Sequence, residues 1–127
     1  MKRDKIIIGS RGSKLALIYA EKVKTELEKY FSNKIIIKKI VTTGDENQKE
    51  RLSNLGGKGL FSKKIENELI NMEIDIAVHA LKDMPSIETK GLLTNFFLKR
   101  NSPNEILISK ENNKFEDLKP NSIIGTS

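Results

Sequence analysis

Residues able to do chemistry are concentrated in short segments of this chain. Gly9-Ser10-Arg11-Gly12-Ser13 puts a guanidinium beside the start of a helix. Free backbone N–H groups and the positive helix end attract an anion there, and the planar fork of Arg11 suits a carboxylate. The plainer alternative is a Ser13 helix cap with an incidental arginine. His79-Ala80-Leu81-Lys82-Asp83-Met84-Pro85 carries a charged pair just past an apolar run. A carboxylate at Asp83 can accept hydrogen bonds from a ligand N–H or stabilise a developing cation. Alternatively, Asp83 only bonds the backbone of a turn. His79 falls inside the apolar run and reads as structural. Thr42-Thr43-Gly44-Asp45 is the remaining polar segment at the end of an apolar run.

Gly56-Gly57-Lys58-Gly59 opens a second helix. It is no phosphate-binding Walker loop, because Gly59 stands where Ser or Thr would follow the Gly-Lys pair and no glycine begins the motif. Nor does it extend to a dinucleotide-type GxGxxG, since position 62 is Ser. Its glycines allow close approach to a ligand, or simply make a flexible loop end.

The elements that must position these segments follow from apolar periodicity. Lys5 to Ile8 reads as a short buried strand. Ser13 caps a helix from about Lys14 to Phe31, with Leu15, Tyr19, Val23, Leu27 and Phe31 on one face. Ile35 to Val41 is a second strand, and Thr42 to Gly57 a loop. A helix from about Gly59 to Met72 turns Phe61, Ile65, Leu69 and Met72 inward. Ile74 to His79 is the third strand. Leu92–Leu98, Glu105–Ser109 and Ser122–Gly125 are further strand candidates. The β-α-β-α-β order with continuous Ile/Val strands predicts an α/β fold, a parallel-rich sheet flanked by helices. In such sheets ligands bind beyond the carboxyl ends of the strands, so the chemical segments should converge at one edge.

Arg100-Asn101-Ser102-Pro103-Asn104 reads as a linker. Residues 1–99 are therefore expected to form one domain and 100–127 a hinge and the start of another. An end on Ile123-Ile124-Gly125-Thr126-Ser127, a buried-looking strand, is expected of a truncated chain.

Composition narrows the function classes. The 127 residues are 37% hydrophobic and 31% charged, as in globular proteins. The absence of cysteine excludes disulfides and thiolate metal sites, and a single histidine builds no zinc site. The net charge of +6 comes from lysines spread over nearly every segment, with two Tyr and no Trp, so no nucleic-acid partner is expected. No apolar run approaches the roughly 20 residues of a membrane span, and none near the N-terminus suits a signal peptide; a cytoplasmic protein without a membrane partner is expected.

Taken in order, the motifs resemble one family. Gly9-Ser10-Arg11-Gly12-Ser13-Lys14-Leu15-Ala16, Thr42-Thr43-Gly44-Asp45, Leu55-Gly56-Gly57-Lys58-Gly59-Leu60-Phe61 and Asp75-Ile76-Ala77-Val78-His79-Ala80-Leu81-Lys82-Asp83-Met84-Pro85 follow the order and approximate spacing of porphobilinogen deaminases. Ile124-Gly125-Thr126-Ser127 is similar to the start of that family's Gly-Thr-Ser-Ser-Leu-Arg-Arg motif. The resemblance implies an enzyme that joins four porphobilinogen molecules head to tail, releasing ammonia, to give hydroxymethylbilane. It implies a dipyrromethane cofactor attached to a cysteine, which this chain lacks. It implies three domains, the first two like type II periplasmic binding proteins, in a protein expected to be a monomer at full length.

By the same resemblance Asp83 is the catalytic aspartate. Arg11, Ser13, Lys58 and Lys82 hold acetate and propionate groups of cofactor or substrate, and Phe61 lies near the substrate pyrrole. Residues 43–57 match a mobile loop over the cleft. Ala80 stands where many members carry Ser, and Lys14 where many carry Pro. The fragment by itself is expected to be inactive. The competing reading is a non-catalytic small-anion binding module of the periplasmic-binding type, against which Lys82-Asp83 and the ordered motifs stand.

Overall fold

The computed structural model describes residues 4–42, 59, 61–104, 106–109 and 111–125. The chain divides into two compact units, Met1–Phe97 and Leu98–Ser127.

Among the described residues the first unit is built on three parallel strands: β1 (Lys5–Arg11), β2 (Lys34–Ile40) and β3 (Ile76–Ala77), in the order β2-β1-β3. β1 is central. It pairs with β2 from Lys5↔Lys34 to Arg11↔Ile40, and with β3 at Ile8↔Ile76 and Gly9↔Ala77. Helix α1 (Lys14–Leu27) links β1 to β2, and helix α2 (Lys63–Ile70) precedes β3. Alternate residues of a strand face opposite sides of the sheet. Ile6 and Ile8 accordingly pack with Ala20, Val23 and Leu27 of α1 and with Ile35. Ile7 packs instead with Ile65 and Leu69 of α2, Ile40 and Ile74. The run Ile6-Ile7-Ile8 thus feeds two cores, one on each face. This is the parallel, helix-covered sheet that the continuous apolar runs predict.

β3 is shorter than the predicted span Ile74–His79 because part of its pairing is made by other means. Asp75 N–H donates to the Ile7 carbonyl (2.8 Å), and Ile7 N–H donates to Asp75 Oδ2 (2.8 Å). A side-chain carboxylate takes the place of a ladder carbonyl. At the other end Val78 N–H donates to the Gly9 carbonyl (3.0 Å).

Both helices are shorter than predicted. α1 starts as expected, with Ser13 Oγ accepting from Ala16 N–H (3.3 Å). It stops at Leu27, after which Tyr30 and Phe31 N–H both turn back to the Leu27 carbonyl (each 3.0 Å). The apolar face is centred on Ala20, which is fully buried, while Leu15 and Phe31 are exposed. The predicted i+4 row therefore slants off the packed face at both ends. α2 ends in a Schellman motif. Met72 takes the left-handed conformation (φ 59°), with Met72 N–H donating to Leu69 (3.1 Å) and Glu73 N–H to Glu68 (2.9 Å). Met72 is consequently exposed rather than inward-facing.

None of the expected strands at Leu92–Leu98, Glu105–Ser109 and Ser122–Gly125 forms among the described residues. A strand exists only through a partner's hydrogen bonds, and there Phe96, Ile106, Ile108 and Ile123 lie exposed. The second unit holds local turns instead. A short 3-10 helix spans Phe115–Asp117, whose Asp117 Oδ2 accepts from Lys114 N–H (3.1 Å).

Gly9 sits at a tightly packed point of the first unit. A Cβ there would collide with Ile74 Cδ1 and meet Ile40 Cδ1 at 3.0 Å, whereas one on Gly12 would meet nothing within 4 Å among the described residues. Overpacking a filled core costs about 1–3 kcal/mol. Gly9→Ala should lower stability by that amount in urea denaturation, and Gly12→Ala should leave it unchanged or slightly raised. Equal midpoints for the two variants would contradict the close approach of β1 to Ile74.

Candidate functional site

Because the strands are parallel, their carboxyl ends share one edge of the sheet, and the chain leaves each of them there. β1 delivers Arg11. The residues after β3 deliver His79 and then a 3-10 helix, Leu81–Asp83, closed by Asp83 N–H donating to the Ala80 carbonyl (2.9 Å). Phe61 arrives on the turn before α2. In that turn Gly59 takes φ 96° and its carbonyl accepts from Ser62 (3.2 Å) and Lys63 (2.9 Å). A residue with a Cβ would be strained at Gly59.

Three of the residues singled out from the sequence meet. Arg11 Nη1 lies 3.5 Å from Asp83 Oδ2, and the guanidinium carbon lies 3.9 Å from the centroid of the Phe61 ring. The stacking contributes on the order of 0.5–2 kcal/mol, more as water is excluded. The Arg11 and Asp83 side chains are 19% and 24% exposed, so the pair is sheltered but reachable. At 3.5 Å it is longer than the roughly 2.7–2.9 Å of a charge-assisted hydrogen bond. The arrangement brings an anion beside a cation that is stacked on an aromatic ring. It suits a ligand with a carboxylate, an N–H donor and a planar ring.

The other singled-out residues stand differently. Ser13 is exposed, and its Oγ accepts from Ala16 N–H as the cap of α1. Lys82 is exposed on the 3-10 helix. Lys58 lies outside the described residues, as do Thr43-Gly44-Asp45, Gly56-Gly57 and the rest of 43–57.

Two neighbours were not singled out by residue type and spacing. Ser10 is fully buried, with Oγ 3.2 Å from the Ala16 carbonyl and 3.3 Å from the Arg11 carbonyl. It ties the exit of β1 to the first turn of α1 and so sets where Arg11 emerges. Its signal in the sequence is faint: a small polar residue between an apolar strand and a helix cap. Glu66 of α2 is buried and accepts from Thr89 Oγ1 (2.8 Å), holding the segment after the 3-10 helix against α2.

His79 follows β3 rather than lying within it, and its setting is electrically charged. Burial pushes its pKa below the ordinary value; the negative charges of Glu66 and Asp83 oppose this, and Arg11 reinforces it. Nε2 is buried without a hydrogen-bond partner among the described residues. The ring is therefore neutral at pH 7. Between its lowered folded pKa and the ordinary value of about 6.5, the unfolded chain binds more protons than the folded one. Stability contributed by the neutral ring is thus present above about pH 6.5 and lost as pH falls through the folded pKa. The thermal midpoint should drop between pH 7 and pH 5.5, and His79→Gln should flatten that dependence. As the chain has one histidine, its imidazole NMR titration reads the same pKa directly. A midpoint at or above about 6.5 would contradict the lowered pKa.

The chain is similar to known proteins over nearly its whole length. The family model described as porphobilinogen deaminase, dipyromethane cofactor binding domain, matches residues 6–127. The chain is 45% identical over 123 residues to the porphobilinogen deaminase of Geobacillus kaustophilus, covering 96% of the chain and 40% of that relative. It is 46% identical over 121 residues to that of Syntrophomonas wolfei (94% and 40%) and 43% identical over 126 residues to that of Chlorobium chlorochromatii (98% and 40%). The chain spans about 40% of the length of the curated relatives it matches. With a family model matched over nearly its whole length, the chain belongs to the porphobilinogen deaminase family.

Proposed function

We propose that the intact protein carrying this chain is a hydroxymethylbilane synthase, a transferase of porphyrin and heme biosynthesis. It joins four porphobilinogen molecules head to tail with release of ammonia. Family membership over residues 6–127 carries this reading. The meeting of Arg11, Phe61 and Asp83 at one strand edge supports it, because porphobilinogen is a planar pyrrole bearing carboxylates and an N–H.

In this reading residues 1–99 form the first of two domains of the type II periplasmic-binding kind, and residues 100–127 begin the second. The parallel sheet and the division of the chain at Phe97–Leu98 support that organisation. The protein works as a cytoplasmic monomer; no helix among the described residues is long and apolar enough to cross a membrane.

The residues present fit a dipyrromethane. Its acetate and propionate groups call for cations, which Arg11, Lys82 and Lys58 supply, with Ser13 adding a hydroxyl. Its pyrrole N–H groups call for an acceptor, which Asp83 supplies. Covalent attachment falls outside this chain, which has no cysteine. When bound, the cofactor supplies the pyrrole end to which substrate is joined.

The chain's own residues have distinct tasks. Arg11 and Lys82 anchor carboxylates, which fixes the plane of a pyrrole against Phe61. Asp83 accepts from the pyrrole N–H and so orients the ring. Loss of ammonia from the aminomethyl group of porphobilinogen leaves a cationic, azafulvene-like carbon. A carboxylate already in place stabilises that charge without waiting for solvent to reorganise.

Asp83→Asn removes the charge with little change of shape. In the intact enzyme, single-turnover rate should fall by roughly a hundredfold or more, as for loss of a principal electrostatic contact, while thermal stability is nearly kept. Asp83→Glu should retain more activity than the Asn variant. Normal turnover by Asp83→Asn would reduce Asp83 to a turn residue and remove this mechanism.

A further inference from the structure

Asp83 stands in the middle of an arc, residues 79–89, that leaves β3, makes the 3-10 helix and returns to α2. One side chain of α2 is engaged at both ends of that arc. At the far end the Glu66 carboxylate, which is buried, accepts from Thr89 Oγ1 (2.8 Å). At the near end its charge acts on His79: burial lowers the imidazole pKa, and Glu66 opposes that shift more strongly than Asp83 does. We propose that Glu66, through its hydrogen bond with Thr89, is a positioning residue that holds Asp83 in place for the reaction; this rests on the function proposed above and adds a residue to it.

The tie stands alone. Among the described residues, no other hydrogen bond joins residues 84–91 to α2 or to the sheet. The link from the 3-10 helix towards Thr89 is stiff where it begins. Met84 is extended (φ −83°, ψ 141°), and Pro85 fixes its own φ and keeps the residue before it out of the helical region. A shift of Thr89 is therefore passed towards the 3-10 helix rather than absorbed next to Asp83. That helix is a single turn, closed by Asp83 and Met84 N–H donating to the Ala80 and Leu81 carbonyls (2.9 and 3.1 Å). A lone 3-10 turn has little strength of its own.

Stability alone does not call for a carboxylate at position 66. Burying one costs solvation that a single hydroxyl donor replaces only in part, and a well-packed apolar residue is often at least as stabilising. What the carboxylate adds is direction. Hydrophobic contact is non-directional, whereas an O–H···O bond of 2.8 Å fixes where Thr89 sits.

The test uses the intact protein carrying this chain and four variants. Thr89→Val removes the hydroxyl at nearly constant volume, and Thr89→Ser keeps it. Glu66→Leu removes the acceptor, and Glu66→Gln keeps an acceptor oxygen. Each is measured for kcat per folded molecule, KM, thermal midpoint and amide hydrogen exchange of Asp83 and Met84 by NMR. Thr89→Val should lower kcat roughly tenfold or more, because misplacing a catalytic group by an ångström costs up to about a hundredfold. KM should stay unchanged, since Arg11 and Lys82 still anchor carboxylates. The Asp83 and Met84 amides should exchange faster. Thr89→Ser should restore both kcat and exchange. Glu66→Leu should match Thr89→Val, combining the two should add nothing further, and Glu66→Gln should lose less. The Thr89 pair decides the matter by itself if Glu66→Leu does not fold.

Unaltered exchange in Thr89→Val overturns the proposal. So does faster exchange with a normal kcat, whatever KM does, and so does a loss of kcat that Thr89→Ser fails to restore. A wild-type protein that does not turn over porphobilinogen removes the function proposed above instead. Exchange in the same Thr89 variants then decides whether Glu66 holds Asp83: faster in Val and restored in Ser upholds it, and no change overturns it.

Discussion

Both edges of β1 are occupied, and the candidate site depends on that constraint. Over seven residue pairs its backbone is bound to β2, and on the other side to β3 with Asp75 and Val78 extending the contact. A strand held on both edges and both faces cannot slip in register without turning Ile6 and Ile8 away from α1 and Ile7 away from α2. Arg11 is the last residue of that strand, so its position is set by the packing of isoleucines several residues away.

Close packing at the end of β1 is achieved with small residues. Gly9 lets Ile74 and Ile40 approach the backbone, and Ser10, fully buried, uses its hydroxyl to satisfy a carbonyl at the first turn of α1. A larger residue at either position would push the strand exit outward. Arg11 would then move relative to a 3-10 helix anchored on β3. The motif Gly9-Ser10-Arg11 is therefore one mechanical unit: approach, tie and presented charge. Gly12-Ser13 follows as the unstrained turn into the helix.

The β-α-β-α-β order is legible in the sequence because each strand is a continuous apolar run bounded by a turn or cap. The convergence of Arg11 and Asp83 is legible too, since parallel strands put their carboxyl ends together. Helix limits are less so. Periodicity marks where a helix has an apolar face, but α1 stops where packing stops, and α2 stops where Met72 adopts a left-handed conformation that no residue type signals. The segments around Phe96, Ile106 and Ile123 carry the composition of strands without the pairing that makes one, which composition does not encode. His79 shows the same limit at the site. Its place in an apolar run is read from the sequence, but the charges around it come from α2, β1 and the 3-10 helix.

Those surrounding charges explain why the neutrality of His79 matters. A protonated imidazole at this edge would compete with Arg11 for Asp83 and add a second positive charge next to the guanidinium. Burial opposes that protonation more strongly than Glu66 and Asp83 favour it. The edge therefore sets the Arg11 guanidinium near the Asp83 carboxylate and over the Phe61 ring. In a partly dry setting each of these charges acts more strongly than it would in water. The fold thus supplies two things that a set of sequence motifs does not contain by itself: shelter, from the two-sided packing of the sheet, and an uncharged neighbour, from the burial of His79 after β3.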